Sequence, residues 1–319
     1  MKQVMFTLAA LLNAYMLSAC SINIGADRSA GHYERDAAGY GANDGVIERS
    51  LSVRPFTALE CRLPASVTYV QTNDQAPKVV LKGAPAMVER CVVDVRDGKL
   101  QLYLVQKAKQ SMKRFSQSRN QLNITVYGGR LTALAVQSAC SFYAAQLETS
   151  QLALSNAGAS SIRVGRLVGQ QLTVSCSGAS STKLAGNVAK LMLNVTGASS
   201  FVANEFATQD LKAKVSGAST TKCALQGSAG VDVSGASTLT LSGTADLFTI
   251  KCSGASSVKA ADLKAQNVVV DVAGASGVKC YAARSIKGTV GCGSLTYGGR
   301  PTSYNVERQN TSASIKAVD

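Results

Sequence analysis

The stretch 251–260, KCSGASSVKA, decides how this chain is read, because it returns as SCSGASSTKL (175–184), KVSGASTTKC (214–223), DVSGASTLTL (232–241) and DVAGASGVKC (271–280). A catalytic motif seldom recurs along one chain, so the phrase marks a repeating structural unit. Aligned on their glycines, Gly158, Gly178, Gly197, Gly217, Gly235, Gly254, Gly274 and Gly293 are separated by 20, 19, 20, 18, 19, 20 and 19 residues. Ala139 and Thr311 fit the same register as weaker outer copies. Helical solenoids need longer units, and the spaced leucines and asparagine of leucine-rich repeats are missing.

Counting back from each glycine gives apolar columns. Two residues before it stand Asn156, Cys176, Val195, Val215, Val233, Cys252 and Val272; four before it, Leu154, Val174, Leu193, Ala213, Val231, Ile250 and Val270. Apolar residues at every second position make a strand with one buried face. The column three before the glycine holds Lys214, Asp232, Lys251 and Asp271 and faces outward, with alternating charges that neutralise one another up the stack. Beyond the glycine the alternation resumes, with Ile162, Phe201, Leu239, Val258 and Val278 four residues on.

Two strands per unit, with a sharp bend at Gly-Ala-Ser, describe one coil of a parallel β-helix. The expected architecture is all-β: a right-handed solenoid of about eight to nine coils of 18–20 residues, after a β-rich N-terminal region. Glycine permits the corner conformation or close approach between coils, while alanine and serine keep the corner thin. Burying a Val or Leu contributes ~1.5–3 kcal/mol, enough to offset the ordering entropy only when coils stack on one another. An isolated repeat should not fold.

The column five after the glycine carries Arg163, Lys183, Val202, Lys222, Thr240, Lys259 and Lys279, so a basic stripe should project from one face. One reading is recognition of a repeating anion, such as an acidic glycan or lipopolysaccharide phosphates. The other is a solvated strand face whose long side chains block unwanted pairing. Cations 5–10 Å apart in water repel by only ~0.4–0.8 kcal/mol, so the stripe needs no ligand to exist. The net charge of +14 points the same way, toward acidic partners. With aromatics at 5% and no Trp, flat platforms for sugar or base stacking are scarce, and nucleic acid is not an expected partner.

The N-terminus reads as an export signal: Lys2, a mostly apolar run from Val4 to Leu17, then Leu17-Ser18-Ala19-Cys20. That run is too short to span a bilayer. The tetrapeptide resembles a bacterial lipobox, which implies a lipid (palmitate-bearing) anchor at Cys20. Because Ser21 follows instead of Asp, resemblance to proteobacterial lipoproteins favours the outer membrane. Residues 21–45 are rich in Gly, Ala and Asp and read as a flexible linker. The only histidine, His32, lies there, which removes Ser-His-Asp, Cys-His and His-ligated zinc chemistry.

Residues 46–137 alternate in short strands (SVTYV, KVVLKG, CVVDVRDGKLQLYLV, QLNITVYG), with Asp97-Gly98 as a tight-hairpin signal and a basic exposed loop at 107–120. The repeat part follows from 138 to 319. Of nine cysteines, Cys176, Cys252, Cys223 and Cys280 fall on inward columns three or four rungs apart, too far to bridge, and act as small core hydrophobes. Cys61 and Cys91 could equally be bridged or free. No CxxC pair or calcium-binding GGxGxD repeat occurs, so no metal site and no cofactor are expected. Asp232 and Asp271 are two rungs apart with Lys251 between, unlike a general acid–base pair.

RSLSVRPFTALECRLPASVTYVQ, VVDVRDGKLQLYL, NQLNITVYGGRLTALAVQSACSF, the Gly-Ala-Ser coils and the closing YGGRPTSYNVERQNTSASIKA together resemble the auto-transporter adhesin head, or GIN, domain over about residues 46–317. The resemblance implies an exported, largely β-helical bacterial protein with no established catalytic residues. The expected function is a non-enzymatic, lipid-anchored envelope module that binds an anionic ligand. A structural envelope scaffold and a polysaccharide-cleaving β-helix enzyme are the alternatives.

Overall fold

The computed structural model describes residues 45–73, 75–105 and 122–318. The lipobox Cys20, the linker with His32 and the basic loop at 107–120 lie outside the described residues. Within them the chain forms twenty strands and one short helix, and the repeats stack as parallel coils of a β-solenoid of about nine turns. No helix among the described residues is long and apolar enough to cross a membrane.

The repeat coils run through β8 (Ala133–Gln137), β9 (Ser141–Asn156), β10 (Ser161–Cys176), β11 (Ser181–Val195), β12 (Ser200–Ala203), β13 (Phe206–Val215), β14 (Thr220–Val233), β15 (Thr238–Cys252), β16 (Ser257–Val272) and β17 (Gly277–Val290). They end in β18 (Ser294–Gly298), β19 (Ser303–Arg308) and β20 (Ser314–Val318). The ladder Cys176–Val195–Val215–Val233–Cys252–Val272–Val290 is in register from rung to rung, and every member is buried. These apolar columns therefore form continuous interior stacks, which is how each coil buries its face against its neighbours.

The expected two strands per unit are, in most coils, one strand of 14 to 16 residues between corners. The coil of β12 and β13 is broken at Asn204-Glu205, and the last, of β18 and β19, at 299–302. In β10 the alternation slips at Gly165-Arg166, both exposed, before Leu167 points inward again. The ladder slips near these mid-coil bends, between Val164 and Leu167, Gly227 and Ser228, Thr240 and Ser242, and Ala260 and Lys264, and regains register on either side.

At the corners, Gly158, Gly178, Gly197, Gly217, Gly235, Gly254 and Gly274 have φ between +65° and +79°. They also sit against one another: a Cβ at Gly217 would stand 2.5 Å from the Gly197 carbonyl oxygen. The following alanine N–H donates to the glycine carbonyl below, for example Ala218 to Gly197 at 2.8 Å. The serine does more than keep the corner thin. It is buried, and its hydroxyl donates to a carbonyl of its own corner, as from Ser256 to Ser253 at 2.6 Å, with the Val233 carbonyl below at 3.1 Å.

The first outer copy and the last glycine are shifted from the expected register, while Thr311 keeps it, with Ser314 and Lys316 three and five residues on in the same columns. Ser138, not Ala139, lies beneath Gly158 and takes a left-handed φ of 68°. Ala139 and Cys140 then occupy the alanine and serine places. Gly293 stacks on Ser276, because the corner between Val290 and Ser294 is one residue shorter than the corner between Val272 and Gly277.

Parallel stacking continues below residue 138 in an order that differs from the chain. β2 (Ala58–Arg62) and β3 (Ser66–Gln71) pair with β8 and β9 on one side. On the other they pair with β6 (Lys99–Leu104) and β7 (Asn123–Gly128). Antiparallel strands then close that end: β5 (Cys91–Arg96) on β6, β4 (Lys78–Gly83) on β7, and β1 (Ile47–Ser52) on β4. Asp97 and Gly98 both have positive φ in the tight β5–β6 hairpin. Helix α1 (Pro85–Arg90) buries Met87 and Val88 against this end. Such a cap removes open edges from the first coils.

Candidate functional site

Parallel register turns a sequence period into a column on the surface. In the column five after the corner glycine, Arg163 pairs with Lys183, then come Val202, Lys222, Thr240, Lys259 and Lys279 on successive rungs. All five predicted basic residues are exposed. None of them takes part in an ion pair among the described residues, where the ion pairs all lie between residues 48 and 99, in the N-terminal region. The five cations thus share one row, held by a backbone ladder and left uncompensated.

The row is longer than sequence periodicity indicated. Lys279 pairs with Thr296 and Thr296 with Lys316, adding an exposed lysine that stands five residues after the outer copy Thr311. From Arg163 to Lys316 the cations extend over about 38 Å at one rung per ~4.8 Å. Beside them runs a hydroxyl column, Ser161, Ser181, Ser200, Thr220, Thr238 and Ser257, in the same register. Ammonium and guanidinium groups with adjacent hydroxyls can bind phosphate, sulfate or carboxylate groups repeated along a polymer. In the other direction, Arg163 pairs with Tyr143 and Tyr143 with Thr68.

The column three before the glycine behaves differently. Lys214, Asp232, Lys251 and Asp271 alternate on successive rungs, as expected, yet none of the ion pairs within 4 Å joins them. Their charges cancel at the distance of the rungs, and Asp271 instead accepts a hydrogen bond from Thr289 at 3.2 Å. Asp232 and Asp271 remain separated by the Lys251 rung, so the geometry offers no adjacent acid and base.

Cys176, Cys223, Cys252 and Cys280 are free, buried thiols in the interior columns. Burial pushes the thiols of Cys223 and Cys280 up to about 12 and that of Cys176 to about 11, so they stay protonated and unreactive at neutral pH. Cys61 and Cys91 are free as well, although both are buried. The Cys61 thiol is hydrogen-bonded to that of Cys140, and this contact together with burial raises it well above the ordinary range. Cys140 reaches Cys61 because it occupies the place from which a corner serine contacts the coil below.

Comparison with known proteins adds the family. A family model described as "Putative auto-transporter adhesin, head GIN domain" matches residues 55–238 and 226–301. No curated protein matches the chain. Among solved structures, a "Putative lipid binding protein" from Parabacteroides distasonis is 18% identical, covering 87% of this chain and 98% of that one with a TM-score of 0.45. A "putative adhesin" from Bacteroides fragilis is 19% identical, covering 88% and 100% with a TM-score of 0.35. Another from Parabacteroides merdae is 14% identical, covering 87% and 98% with a TM-score of 0.45.

Proposed function

This chain belongs to the family described as "Putative auto-transporter adhesin, head GIN domain", and from that membership we propose that it is a non-catalytic, adhesin-like binding module of the cell envelope. Cys20 carries the lipid that holds it to the outer membrane. The row of Arg163, Lys183, Lys222, Lys259 and Lys279 binds a polymer with repeated anionic groups, either an acidic glycan or the phosphates of lipopolysaccharide. The single observation that supports this reading is the row itself: five exposed cations in one register, with no carboxylate partner.

The test is a glycan array carrying acidic glycans and lipopolysaccharide, read at low and high salt. Wild-type protein should bind anionic members, more weakly at high salt because screening shortens the reach of exposed charges. The variant Lys183→Glu, Lys222→Glu, Lys259→Glu, Lys279→Glu should lose that binding. Equal binding by the variant would overturn the ligand reading and favour a structural scaffold, while new chain ends in an incubated acidic glycan would favour an enzyme. Labelling with palmitate that persists in Cys20→Ser would refute the anchor.

A further inference from the structure

At one end of the cationic row the ladder splits. β3 pairs with β9 only as far as Tyr69 and Ala144; beyond that point β3 stays on β7 to Gln71 and β9 stays on β10, so the two strands part. The divergence opens a cleft of ≈400 Å³ lined by Thr68, Gln71, Asn73, Tyr143, Gln146 and Glu148 among others. This lies within the usual range of small-molecule sites. It is also braced. The Gln71 side-chain amide spans the gap, donating to the Glu148 carbonyl at 3.0 Å and accepting from the Glu148 N–H at 2.8 Å. Gln146 donates to one Glu148 carboxylate oxygen at 2.6 Å, fixing that carboxylate while its other oxygen stays available.

We propose that this cleft holds a neutral pyranose unit of an acidic polysaccharide whose charged units lie along the adjoining row. The inference rests on the anion-binding reading of that row and narrows it to a carbohydrate. Three features carry it. Tyr143 is 44% exposed at the cleft, an aromatic face for the C–H surface of a sugar ring. The Glu148 carboxylate accepts from sugar hydroxyls, while the Asn73 and Gln146 amides can both donate and accept. Finally, Tyr143 pairs directly with Arg163, so the next unit of a bound chain meets a guanidinium one rung away. The Glu148 charge disfavours an anionic unit in the cleft, and Arg163 favours one just outside it. A chain alternating neutral and acidic sugars satisfies both; a bare polyphosphate satisfies only the row.

The experiment titrates the full protein with a hyaluronan decasaccharide, in which neutral amino sugars alternate with uronates, and with linear polyphosphate of matched charge. Tyr143→Ala, and separately Gln146→Ala, alters exposed side chains and should leave the fold intact. Each should weaken hyaluronan binding, by about tenfold for Tyr143→Ala, and leave polyphosphate binding unchanged. Unchanged hyaluronan affinity in both variants, equal losses for both polymers, or no hyaluronan binding by the wild type would overturn the cleft assignment. The charge-reversed row variant separates the two ideas. If it retains polyphosphate binding, the row reading fails; if it loses polyphosphate while Tyr143→Ala is silent, the cleft fails alone.

Discussion

At Gly217 two demands meet, a φ of +79° and a neighbouring carbonyl that leaves no room for a side chain. Gly217→Ala should therefore lower stability by about 3 kcal/mol, combining the left-handed penalty with a forced shift of the corner, as measured by urea unfolding. A loss below about 0.5 kcal/mol would mean that the corners are not stacked on one another. Thr221 presents the opposite case. It sits in a buried column between Phe201 and Leu239, and its hydroxyl has no hydrogen-bond partner. Thr221→Val should raise stability by about 1 kcal/mol, because it removes an unsatisfied buried group at nearly constant volume. Thr182, in the same column, differs because it accepts a hydrogen bond from Asn156 at 2.8 Å. The repeated glycine was legible as a corner from sequence spacing alone. The second contact of the corner serine was not, since beyond the carbonyl three residues back it reaches one from the coil below, some 22 to 24 residues earlier.

Strands and corners followed from apolar periodicity wherever each coil rests on the coil that precedes it in the chain. The first coils escape that rule, because β2 and β3 insert between β6–β7 and β8–β9, and no local pattern encodes a swap in stacking order. Likewise Thr296 joins the row three residues after Gly293 because that corner is short, whereas Lys316 keeps the usual offset of five from Thr311. The interior cysteines belong to this scale too, as they replace aliphatic residues inside strands. For Cys91, Cys223 and Cys280 the folded value is raised from 9.0 to about 12. Below pH 9 these thiols are protonated in both folded and unfolded chains, and their contribution is fully present. As pH rises from 9 toward 12 only the unfolded chain releases the protons, so stability falls. Urea midpoints should be nearly flat from pH 7 to 9 and decline above it, with a shallower decline in Cys223→Ala, Cys280→Ala. An identical slope in that variant would contradict thiol burial.

At the scale of the molecule, function depends on equivalent residues of successive coils forming one surface. The basic row could be read from sequence because a fixed offset from a repeated glycine becomes a column once coils stack. The cleft could not, since a low aromatic content suggested a surface poor in sugar platforms, and only the divergence of β3 from β9 sets Thr68, Gln71 and Asn73 across a gap from Tyr143, Gln146 and Glu148. Spin labels provide the most direct measurement of this stacking. With Cys20 and the exposed Cys292 replaced by serine, cysteine would be introduced at Arg163 and, in turn, at Lys222, Lys259, Lys279 and Lys316, and distances read by pulsed electron resonance. Separations should rise in order through about 14, 24, 29 and 38 Å, one step of ~4.8 Å per rung. Distances that fail to increase with rung number would contradict the coaxial stack and, with it, the cationic row.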